Sequence, residues 1–214
     1  MKVIVLYGTT EGQTRKIAEF AADKLRGMGD EVTLMDASTV EWDFWLGAFD
    51  AAIVAASIHT GCYQPRVVQF AQCHYERLNQ MPSLFLSVSL SAASPSDDEG
   101  VESMRHCADE FSRQTGWKAN VEHIAGAFRF TEYDFFKRWV MRLLAWEKGL
   151  KTKSGASGLE LTNWPALDEI ICAFHERALK QRATHSVWSS NYEGAVRSPA
   201  TMSGNQNGSA GKPA

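Results

Sequence analysis

The chain has 214 residues, 44% of them hydrophobic, and carries a formal net charge of −3. This length and hydrophobic share suffice for one substantial core, so a single main domain is expected. The small negative charge excludes the strongly basic surface on which nucleic-acid binding depends, and no nucleic-acid partner is expected.

The first predicted strand and helix are joined by a loop rich in threonine. Residues 3–7 form an apolar run typical of a buried strand, and apolar residues return at helical spacing from Ile17. The loop between them has no lysine and neither Walker nor Gly-x-Gly-x-x-Gly spacing, which argues against a triphosphate or a dinucleotide. Hydroxyls, backbone N–H groups and the helix dipole instead suit one terminal phosphate, such as that of FMN. The predicted phosphate-site residues are Thr9, Thr10, Glu11, Gly12, Gln13 and Thr14. Residues 5–21 resemble the flavodoxin signature, with Ala21 where an aliphatic residue is expected.

Apolar runs and helical patterns alternate along the following residues. The further predicted strands are residues 31–35, 50–57, 83–90 and one within 121–130. The further predicted helices are residues 65–78, one ending near 114, and 162–182. This alternation implies parallel pairing with right-handed crossovers. We therefore predict an α/β fold: a flavodoxin-like three-layer αβα sandwich with a five-stranded parallel sheet of order 2-1-3-4-5.

The loops after the third and fourth predicted strands are expected to hold a flavin ring, since they meet the phosphate loop at the carboxyl edge of the sheet. The candidates after the third strand are Ser57, Ile58, His59, Thr60, Gly61 and Tyr63. The candidates after the fourth strand, through their backbone groups, are Ser87, Val88, Ser89, Leu90 and Ser91. Tyr63 is predicted to stack on the ring. His59 either donates toward the N1 region of the ring or is a solvated loop histidine. Cys62 is interpreted as incidental, because nothing near it in sequence would lower its pKa.

The segment of about residues 129–158, before the last helix, is too long for a simple loop and is predicted to be a helical insert. Residues 135–148 place aromatic and aliphatic side chains on one half of a helical wheel and cations on the other. Residues 129–153 hold seven cations against three carboxylates, a local charge of +4. Three interpretations stay open: a helix lying on a membrane surface, a lid that grips an apolar dianion, or an extra packing helix.

Residues 1–176 together resemble the bacterial flavodoxin-like, quinone-dependent protoporphyrinogen IX dehydrogenase family. The stretches that carry this resemblance are residues 11–14, 56–58 with Gly61 and Tyr63, 78–83, 87–88, 124–129 and 162–164. The chain departs from the family pattern at His59, Thr60 and Cys62 in the ring loop and at residues 149–153 in the insert.

The resemblance implies an FMN enzyme of haem biosynthesis that oxidises protoporphyrinogen IX to protoporphyrin IX. Electrons would pass to a membrane quinone, menaquinone or ubiquinone, with the insert touching the bilayer. The residues expected to meet the substrate's propionates are Arg129, Lys137 and Arg138. Neither the sequence nor the resemblance identifies a general base.

Domain organisation and location follow from the same patterns. Residues 1–182 are predicted to form the FMN-binding domain, and residues 183–214, rich in Gly, Ser and Asn, a disordered tail. No run approaches the ~18 apolar residues of a spanning helix, and no signal-peptide pattern precedes the first strand. Four cysteines without Cys-x-x-Cys or metal spacing indicate free thiols and no metal site. We expect a cytoplasmic protein, peripheral on the inner face of the cell membrane.

Three other functions remain open at this stage. One is an electron-transfer flavodoxin, which the modest net charge and the cationic insert argue against. Another is an NAD(P)H-dependent quinone reductase, although no second nucleotide motif is visible. The third is an interaction domain without cofactor, which the intact phosphate loop argues against.

Overall fold

A computed structural model describes the backbone of residues 1–41, 43–93, 98–129, 153–155 and 158–196. Its main element is a five-stranded sheet. The strands are β1 (Lys2–Gly8), β2 (Glu31–Asp36), β3 (Ala51–Ser57), β4 (Ser83–Ser89) and β5 (Asn120–Ala125). They lie in the order β2-β1-β3-β4-β5, and every neighbouring pair is parallel. The predicted fold and strand order are confirmed.

Helices cover both faces of this sheet. They are α1 (Gln13–Gly27), α2 (Pro65–Gln80), α3 (Asp98–Thr115) and α4 (Trp164–Val196). Alternate residues of β1 enter two separate cores: Val3 and Val5 pack with α1 and α4, whereas Ile4 and Leu6 pack with α2 and α3. Strands buried on both faces need continuous apolar runs, which explains why β1 and β3 could be recognised in the sequence.

The predicted fifth strand is interrupted at Gly126. The Gly126 N–H donates to the Ser89 carbonyl (3.0 Å), and its own carbonyl accepts from Leu161 N (3.1 Å). A Cβ at Gly126 would lie 3.3 Å from Val88 Cγ1, so glycine lets the chain pass close to β4 as it leaves the sheet.

Beyond Gly126 the chain starts a second, antiparallel sheet that the sequence did not predict. Its strands are β6 (Ala127–Arg129), β7 (Lys153–Gly155) and β8 (Gly158–Glu160), in the order β6-β8-β7. The two ends of the predicted insert are thereby paired to each other at the edge of the domain. Three-residue strands are too short to give a periodic pattern, which explains why the sequence did not indicate them. The predicted insert helix, residues 135–148, lies outside the described residues.

The last helix is longer than predicted, because α4 runs past Arg182 to Val196. No proline or glycine occurs between Pro165 and Gly194, so no breaker ends the helix where the composition changes. The helix thus includes residues 183–196, the first part of the predicted tail. Residues 197–214 lie outside the described residues. Among the described helices, none combines the length and the apolar character needed to cross a membrane.

Candidate functional site

The loop between β1 and α1 ends in an open helix N-terminus. Gly12 adopts a left-handed conformation (φ +89°) at the N-cap, and its N–H donates to Thr9 Oγ1 over 2.9 Å. No described side chain caps α1. The first N–H groups of a helix have no intrahelical partner, and they sit at the positive end of its dipole. This end of α1 therefore offers donors and a favourable potential to an anion.

Thr14, in the first turn of α1, carries a buried hydroxyl that bonds to none of the described residues. The residue is 1% exposed, and its Oγ1 has no hydrogen-bond partner among the described residues. An unsatisfied buried hydroxyl costs about 1–3 kcal/mol. A phosphate at the helix N-terminus would accept this proton, so the residues present fit the phosphate group of a flavin mononucleotide. Thr10 and Glu11 are exposed, whereas Gln13 is buried.

Two glutamines tie this loop to its neighbours. Gln13 Nε2 donates to Thr162 Oγ1 over 2.9 Å, and Thr162 Oγ1 donates to the Ala125 carbonyl at the end of β5 over 2.8 Å. Gln64 Nε2 donates to Ser57 Oγ over 2.7 Å and lies 3.2 Å from Thr10 Oγ1.

Gln64 is a site residue that sequence reasoning missed. Its Oε1 is buried and has no hydrogen-bond partner among the described residues, which leaves an acceptor between the phosphate loop and the loop after β3. Such an acceptor suits a hydroxyl-bearing ligand chain that runs between those loops. The only sequence signal was a polar residue directly before Pro65, at the start of a predicted helix.

The loop after β3 makes a tight turn over residues 59–62, hereafter the 59–62 turn. His59 and Cys62 exchange backbone hydrogen bonds of 2.9 and 3.1 Å, and Thr60 and Gly61 both have positive φ (49° and 79°). A left-handed conformation is strained for a β-branched residue such as Thr60. All four residues of the turn are exposed, and Ile58, which precedes it, donates its N–H to the Val88 carbonyl (2.8 Å). The turn is thus anchored to β4 and presents backbone and side chains beside the phosphate loop.

Tyr63 does not have the predicted stacking geometry. It is 6% exposed, and its ring makes edge contacts with Phe85 (5.0 Å between centroids) and Phe111 (5.1 Å). Its hydroxyl lies 2.8 Å from Ser87 Oγ. Tyr63 is therefore a core residue, and the prediction that it stacks on a flavin is wrong. The cause is tertiary, since α3 brings Phe111 over the ring.

Burial raises the pKa of the Tyr63 phenol to about 12, although the hydrogen bond between Tyr63 and Ser87 works in the opposite direction. The folded state therefore favours the neutral phenol. The raised pKa contributes about 2–3 kcal/mol to the free energy of unfolding. This contribution is complete below pH 10 and is lost as the pH rises through about 12. We expect the free energy of unfolding, measured in urea between pH 9 and 12, to fall by this amount. The Tyr63→Phe variant should show a flatter profile, and equal slopes in the two proteins would contradict the assignment.

The residues at the end of β4, whose backbone groups are predicted to contact the ring, have side chains that are buried or half-buried. Ser87, Val88 and Ser89 have buried side chains, and the Ser89 hydroxyl lies 3.2 Å from both Met104 Sδ and the Ala92 nitrogen. The carbonyls of Val88 and Ser89 already accept from Ile58 and Gly126. Leu90 and Ser91 are half-buried at the sheet edge, and their backbone contacts with the ring stay a prediction.

Of the three cations predicted to bind the substrate, the structure describes only the backbone of Arg129. Arg129 ends β6, at the base of the insert, and its side chain is not described. Lys137 and Arg138 lie outside the described residues. Among the described residues, no group of His, Cys, Asp and Glu has the arrangement of a metal site.

Comparison with known proteins agrees with this geometry. Residues 4–154 match the family model described as a flavodoxin domain. Protoporphyrinogen IX dehydrogenase (quinone) of Escherichia coli strain K12 is 31% identical over 153 residues, which cover 71% of this chain and 83% of that protein. The protein of the same name from Leishmania major is 27% identical over 178 residues, covering 81% and 74%.

Among solved structures, the rubredoxin oxygen:oxidoreductase of Desulfovibrio gigas superposes with a TM-score of 0.53 at 13% identity. The match covers 85% of this chain and 37% of that one, so this chain spans little more than a third of that protein. At this identity the likeness concerns the fold alone.

Proposed function

We propose that this chain, which belongs to the flavodoxin domain family, binds FMN and oxidises protoporphyrinogen IX to protoporphyrin IX, with a membrane quinone as electron acceptor. The substrate and the acceptor are those in the printed names of its relatives from Escherichia coli and Leishmania major. The cofactor is argued from the chain's own residues.

The observation that carries the cofactor proposal is the buried Thr14 hydroxyl, which has no partner among the described residues, at a helix N-terminus that no described side chain caps. This arrangement meets one phosphate with neutral donors and a helix dipole, without a lysine for a longer polyphosphate. Gln64 offers a buried acceptor between the phosphate loop and the 59–62 turn. The donors and acceptors thus follow the order phosphate, polyol chain and ring along the carboxyl edge of the sheet.

The role of this chain in the reaction is to bind the flavin and to orient it toward the substrate. Bound flavin supplies two-electron chemistry, and three such cycles remove the six electrons that separate the porphyrinogen from the porphyrin. Thr14 and the α1 amides would fix the phosphate, and the hydrogen bonds of Gln64 hold Thr10 and Ser57 in register. The exposed 59–62 turn would contact the ring of the bound flavin.

The propionates of the substrate are assigned to cations at and within the insert. Arg129 stands where β6 enters the insert, and Lys137 and Arg138 follow it in sequence. Guanidinium groups bind carboxylates with two parallel hydrogen bonds, which favours the arginines for this role.

The decisive experiment is anaerobic mixing of the flavin-loaded chain with protoporphyrinogen. We expect loss of the visible flavin absorbance together with a rise in porphyrin fluorescence, and recovery of the flavin absorbance when quinone is added. Cofactor released by heat should be FMN. Bleaching by NADH but not by the porphyrinogen would replace the proposal with a quinone reductase. A colourless chain with no affinity for FMN would refute the proposed function.

We also propose that the insert brings the site to the inner face of the cell membrane, where quinone is dissolved. The proposal rests on the sequence, through the two-sided pattern of residues 135–148 and the local charge of +4. Each cation near an anionic surface contributes about 1 kcal/mol. Replacing Lys137, Arg138 and Arg142 with Glu should abolish sedimentation with anionic vesicles and should lower turnover with vesicle-borne quinone.

The acceptor used in the assay separates the three interpretations of the insert. A membrane role predicts that this triple variant keeps most of its turnover with a water-soluble acceptor. Equal losses with both acceptors would indicate a lid that grips the substrate. Unchanged turnover with both would leave only a packing helix.

A further inference from the structure

Two of the four cysteines lie next to the Gly61–Cys62 peptide group of the 59–62 turn: Cys62 belongs to it, and Cys107 contacts it from α3. Cys62 ends the turn and is exposed, whereas Cys107, in the middle of α3, is 7% exposed. The Cys107 thiol donates to the Gly61 carbonyl, with 3.2 Å between sulfur and oxygen. That carbonyl belongs to the peptide bond that leads into Cys62. The fold therefore brings together two thiols that are far apart in the sequence.

The position of the Cys107 sulfur leaves room for a disulfide to Cys62. In a trans peptide the carbonyl oxygen lies about 2.8 Å from the next Cα, so Cys107 Sγ is within about 6 Å of Cys62 Cα. The Cys62 side chain is exposed, so rotation about its Cα–Cβ bond can carry its sulfur toward that of Cys107. The two thiols also interact electrostatically. The pKa of Cys107 is raised first by burial and secondly by the proximity of Cys62.

The surroundings divide the two thiols into an accessible one and a protected one. Cys62 faces solvent in a turn, where a small oxidant reaches it directly. Cys107 is a buried residue of α3, and its thiol faces the turn through its bond to the Gly61 carbonyl. Peroxide-sensitive pairs have this arrangement, in which an accessible thiol is oxidised first and a neighbouring thiol resolves it.

We propose that Cys62 and Cys107 are a peroxide-responsive pair that closes to an intramolecular disulfide and ties the 59–62 turn to α3. Hydrogen peroxide first transfers an oxygen to the Cys62 thiol, which becomes a sulfenic acid while one water is released. The Cys107 sulfur then attacks the Cys62 sulfur, so that the S–S bond forms, the S–O bond breaks and a second water leaves. Two thiols are oxidised and one peroxide is reduced to two waters.

Closure of this bond changes the turn that faces the cofactor. The Cys107 sulfur can no longer donate to the Gly61 carbonyl, because the bridged sulfur carries no proton. The Gly61 peptide loses its only described side-chain partner, and the turn is held from the Cys62 side chain instead. We expect FMN affinity to fall about threefold to tenfold in the oxidised form, since one hydrogen bond in the ring-binding turn is lost. This consequence rests on the proposed function, whereas the formation of the disulfide does not.

The test uses the full chain, reduced and then treated with hydrogen peroxide before free thiols are alkylated with iodoacetamide. Peptide mass spectrometry should show one cross-link between the peptides of Cys62 and Cys107, which dithiothreitol reverses. The Cys62→Ser and Cys107→Ser variants should both lack it. Cys73→Ser is the matched control, because Cys73 is also exposed but lies on α2, and it should form the cross-link in full yield. Alkylation of both Cys62 and Cys107 after peroxide, a sulfinic acid on Cys62 alone, or an equal yield of other pairings would overturn the proposal.

A second measurement separates the disulfide from the proposed function. FMN titration of the reduced and the oxidised chain should show the weaker affinity in the oxidised form, and the two forms should be equal in Cys107→Ser. A cross-link with unchanged FMN affinity would refute the effect on the turn and leave FMN binding intact. A cross-link in a chain that binds no FMN in either state would refute the proposed cofactor and leave the thiol pair standing.

Discussion

The Thr14→Val variant is expected to bind FMN at least tenfold more weakly than the unmodified chain. A hydroxyl that donates to a charged phosphate contributes about 1.5–3 kcal/mol, and valine keeps the shape of threonine without this donor. The cofactor-free variant should nevertheless be as stable as the unmodified chain or more stable. Its buried hydroxyl has no partner among the described residues, so its removal ends a desolvation cost. FMN titration by fluorescence quenching and urea unfolding of the cofactor-free protein measure the two effects.

Thr115→Val is the matched control for this prediction. Thr115 is also buried, but its hydroxyl donates to the Phe111 carbonyl (2.8 Å) and accepts from Trp117 N (3.2 Å). This variant should lose about 1 kcal/mol of stability and keep its FMN affinity. If Thr14→Val behaved like Thr115→Val, with lower stability and unchanged affinity, the phosphate would not lie at the start of α1.

Trp117→Ala is expected to lower the free energy of unfolding by about 3–5 kcal/mol, because it leaves a large cavity in the core beneath α2 and α3. Trp117 is fully buried, and its ring lies 5.7 Å from Phe85 and 6.2 Å from Phe111, centroid to centroid. Its indole N–H donates to Ser83 Oγ over 3.1 Å. The measurement is urea unfolding followed by far-ultraviolet circular dichroism.

The same substitution at Trp45 provides the comparison. Trp45 lies in the connection between β2 and β3 and is 74% exposed, so Trp45→Ala should change stability by less than about 0.5 kcal/mol. Similar losses for the two variants would mean that Trp117 does not carry the packing described for it.

The sequence alone was sufficient to predict the parallel sheet and the strand–loop–helix unit with which it starts. Both follow from information held within short stretches of chain: continuous apolar runs for β1 and β3, helical periodicity for α1, and threonines between strand and helix. The carboxyl ends of parallel strands share one edge, so the position of the site follows once the strands are known. That Thr14 binds the phosphate stays a prediction, which its hydroxyl supports by having no partner among the described residues.

The tertiary structure alone decided which residues near that edge are buried and which are exposed. Tyr63 follows the 59–62 turn, where a ring-binding residue was expected, yet Phe111 of α3 packs against its ring and its hydroxyl lies beside the buried Ser87. Gln64 gained its importance from two loops that meet only in the folded chain.

The pair Cys62 and Cys107, and the small sheet at the base of the insert, have the same origin. The two cysteines come from different elements, and the paired strands of that sheet are three residues each. Sequence periodicity reports the neighbours of a residue along one element, because it arises from burial against a single face. Contacts between elements depend on how whole helices and strands pack, and no local sequence pattern encodes this packing.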